Sequence, residues 1–156
     1  MQRSEFLSKR IKEVFLDGRW IANTNYKDQL QHIDWLQATQ KVGNLNTIAH
    51  LIYHINYYLA GLLNVFDGGN LKIKDKYSFD LAPIRSEHDW EKLVSNFLVN
   101  AETFANAVQH MSDHQFDEVF VDKKYGTWLR NIEGVIEHSY YHLGQISLIR
   151  KLIQDN

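Results

Sequence analysis

Histidines at helical spacing are the residues in this chain best suited to chemistry. His138 and His142 lie four positions apart in GVIEHSYYHLGQISLIRKL, and His50 and His54 repeat that interval in NTIAHLIYHINYYLAGLL. On an α-helix this interval stacks one imidazole a turn above the other on a shared face, where both can reach one small ion. Neutral imidazole suits transition metals such as zinc and nickel, but a protein zinc site takes at least three protein ligands, so neither pair suffices alone. The chain has no cysteine, which removes thiolate ligands, disulfides and a cysteine nucleophile together. Any metal must therefore be held by His, Asp or Glu. An HxxxH interval is also common on polar helix surfaces, so spacing by itself assigns no ligand.

Helical phase narrows the choice. At about 100° per residue, His54 falls roughly 110° from the centre of the apolar stripe around Ile48, and His50 roughly 150°. On the last helix His142 falls roughly 70° and His138 roughly 110° from a stripe near Ile132 and Leu143. His54, His138 and His142 thus lie on the flanks of buried faces, where a cleft between helices places a metal that a substrate can reach, while His50 points more nearly away. Ser139 follows His138, so the HExxH pattern of zinc proteases, with its glutamate base, is absent. Glu137 lies about 100° around the helix from His138, a poor position for a ligand or base. Gln145, on the flank of His138, can orient a ligand through its amide or simply face solvent. Tyr57, Tyr58, Tyr140 and Tyr141 surround the histidines in sequence and suit a substrate cleft, a helical core or a dimer face. His32, His88, His110 and His114 sit among polar residues and read as solvated surface.

The elements that must position these groups are helical. Phe6, Leu7, Ile11, Val14 and Phe15 predict a first helix over 3–17, ended by Gly18. A short helix is expected within Tyr26 to Gln40. Asn44 or Asn46 is expected to cap a second long helix running through Ile48, Ile52, Ile55, Leu59, Leu62 and Phe66 to Asp67-Gly68-Gly69-Asn70. Residues 67–85, with the lone proline Pro83, read as a crossover loop. Ser86 and Asp89 form a capping arrangement ahead of a third helix from Trp90 to Met111. Residues 116–127 read as a loop with an extended piece, and a fourth helix takes Trp128 to about Ile153. Gly144 within it suggests a close helix crossing. The expected fold is all-α, a four-helix bundle with a long crossover between helices two and three, in one domain spanning 1–156.

Composition agrees with that class. With 44% hydrophobic and 13% aromatic residues, 156 residues can bury a substantial core. Lys and Arg total 17 against 19 Asp and Glu, a net charge of -2 with no cationic run, which argues against nucleic-acid binding. No run of 18 apolar residues marks a membrane span, and the start MQRSEFLSKRIKEVF is amphipathic rather than a signal peptide, so a cytoplasmic location is expected.

These segments resemble the DinB-like (DinB/YfiT) superfamily of small metal-binding four-helix bundles. The resemblance spans nearly the whole chain and is carried by FLDGRWI, by NLNTIAHLIYHINYYLAGLLNVFDG and most specifically by the HxxxHxGQ of IEHSYYHLGQISLIRKL. It implies a histidine triad of His54, His138 and His142, with His50 an open alternative to His54, and a divalent transition metal, zinc or nickel. Vacant coordination positions are then expected. The resemblance further implies a metal-dependent enzyme, a thiol S-transferase or hydrolase, acting on a small molecule with a low-molecular-weight thiol or water. The alternative is a non-catalytic, stress-related metal-binding homodimer. No catalytic residue follows from the motif.

Overall fold

Leu7, Ile11, Val14 and Phe15, spaced at three and four residues, share one face of a helix and are all buried, which fixes α1 (Arg3–Phe15) against the rest of the chain. Phe6 is 51% exposed and lies under the Arg10 guanidinium, so it does not belong to that stripe, and the helix stops before residue 17. The computed structural model describes residues 2–154, and among them the chain forms helices and no β-strand. Residues 1, 155 and 156, the ends of the expected domain, lie outside the described residues.

After α1 come two short helices, α2 (Tyr26–Leu30) and α3 (Trp35–Thr39), where one was expected. Asn25 and Asp34 cap them by accepting backbone N–H bonds from Asp28 and Gln37. The second long helix is α4 (Ile48–Phe66), capped by Thr47, whose hydroxyl accepts from the His50 N–H. Thr47 displaces the expected Asn44 and Asn46 because it alone directly precedes the first helical residue. Next are α5 (Glu87–Gln109), α6 (Asp113–Asp117) and α7 (Trp128–Gln154). Ser86 caps α5 as the sequence suggests, and Asp89 answers by accepting from the Arg85 N–H. Phe116 falls in α6, and the expected extended piece shrinks to a single antiparallel bridge between Val119 and Thr127.

The long helices contact one another in the cyclic order α1, α5, α4, α7. Their inward faces merge into one hydrophobic cluster. At its centre Phe15, Tyr26 and Phe97 are fully buried with ring centroids 5.2–5.6 Å apart. The Tyr26 hydroxyl donates to the Ser139 carbonyl at 2.7 Å, tying α2 to α7 one residue past His138. The crossover between α4 and α5 does not hang free. Gly61 on α4 leaves space that Ile73 fills, since a Cβ there would lie 2.3 Å from Ile73 Cγ1. The Lys74 N–H donates to the Tyr57 hydroxyl at 2.9 Å, and the Tyr58 hydroxyl donates to Asp75 at 2.8 Å.

Gly144 makes no helix crossing: it is exposed, and a Cβ there meets nothing within 4 Å. Its conformational freedom is therefore a cost without a packing return. Gly144→Ala is expected to stabilise the chain by about 0.5–1 kcal/mol, read as a higher urea midpoint at unchanged slope.

Candidate metal centre

Two helices and the crossover build the site. His54 comes from the middle of α4, and His138 and His142 come from successive turns of α7. The Nε2 atoms of His54 and His138 are 3.1 Å apart, and those of His142 and His138 are 2.9 Å apart. All three residues place a ring nitrogen within 4.8 Å of the others, the one such cluster of potential ligands among the described residues. His54 and His142 are each only 6% exposed, while His138 is half-buried.

The opposite ring nitrogens fix which way the lone pairs point. His54 Nδ1 lies 3.3 Å from the Ser78 carbonyl, which can only accept, so the proton is on Nδ1 and the Nε2 lone pair faces inward. His142 Nδ1 donates to Gln145 Oε1 at 2.6 Å, with the same result. Both lone pairs aim at His138 Nε2, which can give one proton to one neighbour at a time. A cation satisfies all three nitrogens at once. With metal–nitrogen bonds of about 2.0–2.1 Å and tetrahedral angles, the nitrogens sit about 3.3 Å apart. The two edges to His138 are short of that by a few tenths of an ångström and the third lies within 4.8 Å, so the donor set fits a small divalent ion after a small adjustment of the three rings.

Electrostatics act in the same direction. Burial, then the neighbouring imidazoles of His142 and His138, lower the His54 pKa from 6.5 to about 4, against small opposing effects of Ser78 and Asp75. Burial and then His142 lower His138 to about 4 as well. Burial also lowers His142, partly offset by Gln145. All three rings are thus neutral ligands at pH 7. In the unfolded chain ordinary histidines take up protons near pH 6.5, whereas the native His54 and His138 resist until about pH 4. Metal-free protein is therefore at full stability above about pH 6.5 and loses stability as the pH falls from there toward about 4. Urea midpoints of chelator-treated protein at pH 7.5, 6 and 5 check this; a flat profile contradicts it.

The crossover closes one side. Phe79 stacks on His54 at 4.1 Å between centroids with planes 9° apart, and Ser78 supplies the carbonyl that orients the ring. Tyr58 stands edge-on to His54 and His138 at 5.1 and 5.4 Å. On the other side His138 lines a cavity of about 600 Å³ with Tyr58, Asp75, Arg130 and Gly134. A cleft of that size suits a small molecule.

Not every residue singled out by sequence gathers here. His50 stays outside the cluster: its Nδ1 meets the Thr47 hydroxyl at 2.7 Å, so the two histidines of α4 divide between cap and site. Of the tyrosines, Tyr58 and Tyr141 touch the triad, Tyr57 holds the crossover, and Tyr140 is half-buried against the core on the side of Glu13 and Arg10. Glu137 is exposed and paired with Arg130 at 3.1 Å. His32, His88, His110 and His114 are exposed. Sequence reasoning missed Asp75, Ser78 and Phe79, which carry no periodic signal, and also Gly134 and Arg130. The last two could have been found by stepping back from His138 in turns of four along α7. Set against known protein families, curated proteins and solved structures, the chain matches none, so the reading of this centre rests on its geometry.

Proposed function

We propose that the chain is a DinB-like metal-binding protein, a four-helix bundle in which His54, His138 and His142 hold a divalent ion, zinc or nickel, to activate a thiol or water against a small electrophile. The observation that carries this reading is the convergence of three Nε2 atoms beside an open cavity. A catalytic centre needs a vacant position, and three imidazoles leave one where a closed structural site does not. The cyclic packing of α1, α5, α4 and α7 supports the bundle assignment, since bundle interiors host metals held by facing helices.

A divalent ion bound there supplies Lewis-acid chemistry, lowering the pKa of a thiol or water and polarising an electrophile. The chain's own groups do the remaining work. Ser78 and Gln145 hold His54 and His142 in the tautomer that presents Nε2. Phe79 excludes water from the outer face of His54, which strengthens interactions made inside. Tyr58 and Asp75 place a hydroxyl and a carboxylate on the cavity wall beside His138, in position to orient a substrate.

The test is turnover of monochlorobimane with glutathione or cysteine by metal-loaded protein, alongside elemental analysis. Displacement of the probe's chloride by the thiol, dependent on metal and lost in His54→Ala, is expected. Turnover indifferent to metal removes the catalytic reading, and absence of metal uptake removes the whole. A second reading, a non-catalytic metal-binding homodimer, draws on Tyr141 and Leu148, which stand 65% and 55% exposed on α7. It predicts metal uptake and concentration-dependent mass without turnover.

A further inference from the structure

Stepping back along α7 from His138 in turns of four leads to Gly134 and then Arg130, and all three line the same cavity. Residues four apart share a helix face, so the cavity runs along α7 for about 12 Å from the triad to the first turn. Gly134 is the midpoint of this run. A Cβ there would meet nothing within 4 Å, so neighbouring side chains do not require a glycine at this position; its bareness leaves the passage open. Any long side chain at 134 would stand between His138 and Arg130.

The two ends differ in chemistry. At the far end Arg130 brings a positive charge, joined by the partial positive charge of the α7 N-terminus, while Lys74 lines the cavity from the crossover, where its N–H meets the Tyr57 hydroxyl. The one acid on the wall is Asp75, which is engaged by the Tyr58 hydroxyl at 2.8 Å. Glu137, off the wall, holds Arg130 through Nη1 alone and leaves the rest of the guanidinium fork to a ligand. Between the ends, Leu62, Leu71, Ile73, Phe120 and Val135 make the wall apolar. Arg130, held on one side by Glu137, offers the rest of its fork as a single cationic anchor, which matches a monoanion better than a dianion.

We propose that this cavity binds an elongated carboxylate with an apolar body, its carboxylate at Arg130 and its reacting end at the histidine triad, with Gly134 keeping the two ends connected. The position of the reacting end rests on the metal-centre reading, whereas the carboxylate end and the passage do not. A substrate held at both ends has its reactive atom fixed along the cavity axis, which is how binding energy remote from the chemistry is used to orient a reaction.

Calorimetric titration of octanoate into metal-free protein tests the cavity alone. Wild type is expected to bind octanoate, Arg130→Ala to weaken it by about tenfold or more through loss of a charge-assisted pair, and Gly134→Leu to lose it. Gly144→Ala, on the exposed face of α7 and outside the cavity lining, should keep binding and, with circular dichroism of every variant, serves as the folding control. Equal binding of octanoate and octanol, tighter binding of octyl phosphate than octanoate, or no effect of Gly134→Leu would each overturn the proposal. The monohydroxamate of suberic acid, with a chelating head and a carboxylate tail, should then bind metal-loaded protein more tightly than octanoate. If it does not, while octanoate behaves as expected and metal uptake is measured, the placement of the reacting end is wrong. If metal uptake itself fails, the metal-centre reading falls and the octanoate results still decide the cavity.

Discussion

Replacing His138 by alanine is expected to leave a folded chain without the affinity for a divalent ion that the triad is proposed to give. His138 is the member of the triad within 3.1 Å of both others, so its loss leaves His54 and His142 without the nitrogen that joins them. Removing an outer partner of a metal ligand typically weakens binding 10–100-fold, so losing the ligand itself should exceed about 100-fold. Gln145→Leu supplies the comparison: it removes only the acceptor that orients His142 and should fall within about 10–100-fold. Competition titrations against a chromophoric chelator measure both. Ion at 100 times its dissociation constant adds about 2.7 kcal/mol of stability, or about 5–11 °C in melting temperature for a chain of this size. That increment should vanish in His138→Ala. A variant that keeps wild-type affinity would show that the three rings meet for some other reason.

The largest effect on folding itself is expected at Phe97. Its ring is fully buried and meets Phe15 edge-on at 5.6 Å and Tyr26 at 5.2 Å, so it joins α5 to α1 and α2 at the centre of the core. Phe97→Ala removes that burial and leaves a cavity, a combination that costs about 3–5 kcal/mol. This is a large share of the 5–15 kcal/mol that separates a typical native domain from its unfolded chain. The damage should also reach the metal centre, because Tyr26 is both a neighbour of Phe97 and the donor to the Ser139 carbonyl next to His138. Urea unfolding measures the first part and metal affinity of the variant the second. A loss below about 1 kcal/mol would mean the core collapses around the missing ring far better than close packing allows.

What could be read from the sequence follows from which forces act locally. The spacing of Ile48, Ile52, Ile55 and Leu59 needs only a helix to make sense, and the structure buries all four on α4. Ser86 and Asp89 cap α5 through contacts three residues apart, well within the reach of sequence reasoning. Thr47 was harder, because asparagine and threonine compete for the same role and only the start of the helix separates them. The angular offset that put His54 nearer the buried face than His50 carried real information: His54 joins the cluster and His50 turns to Thr47. Ser78 and Phe79 gave no such sign, since their part depends on the crossover folding back over α4. Gly144 shows the opposite failure: a glycine inside a helix suggested crowding, and the structure leaves it facing open space.

The stacking of Phe79 on His54 would make the shielding of any bound ion depend on a connector. For an ion held as proposed, affinity would belong to the nitrogens of α4 and α7, whereas shielding on the His54 side would depend on the 71–81 segment, which is held by Tyr57, Tyr58 and the notch at Gly61. Shielding and ligation are therefore set by different residues, and a substitution at Gly61, by displacing Ile73, is expected to open the His54 side to solvent while leaving the three histidines in place.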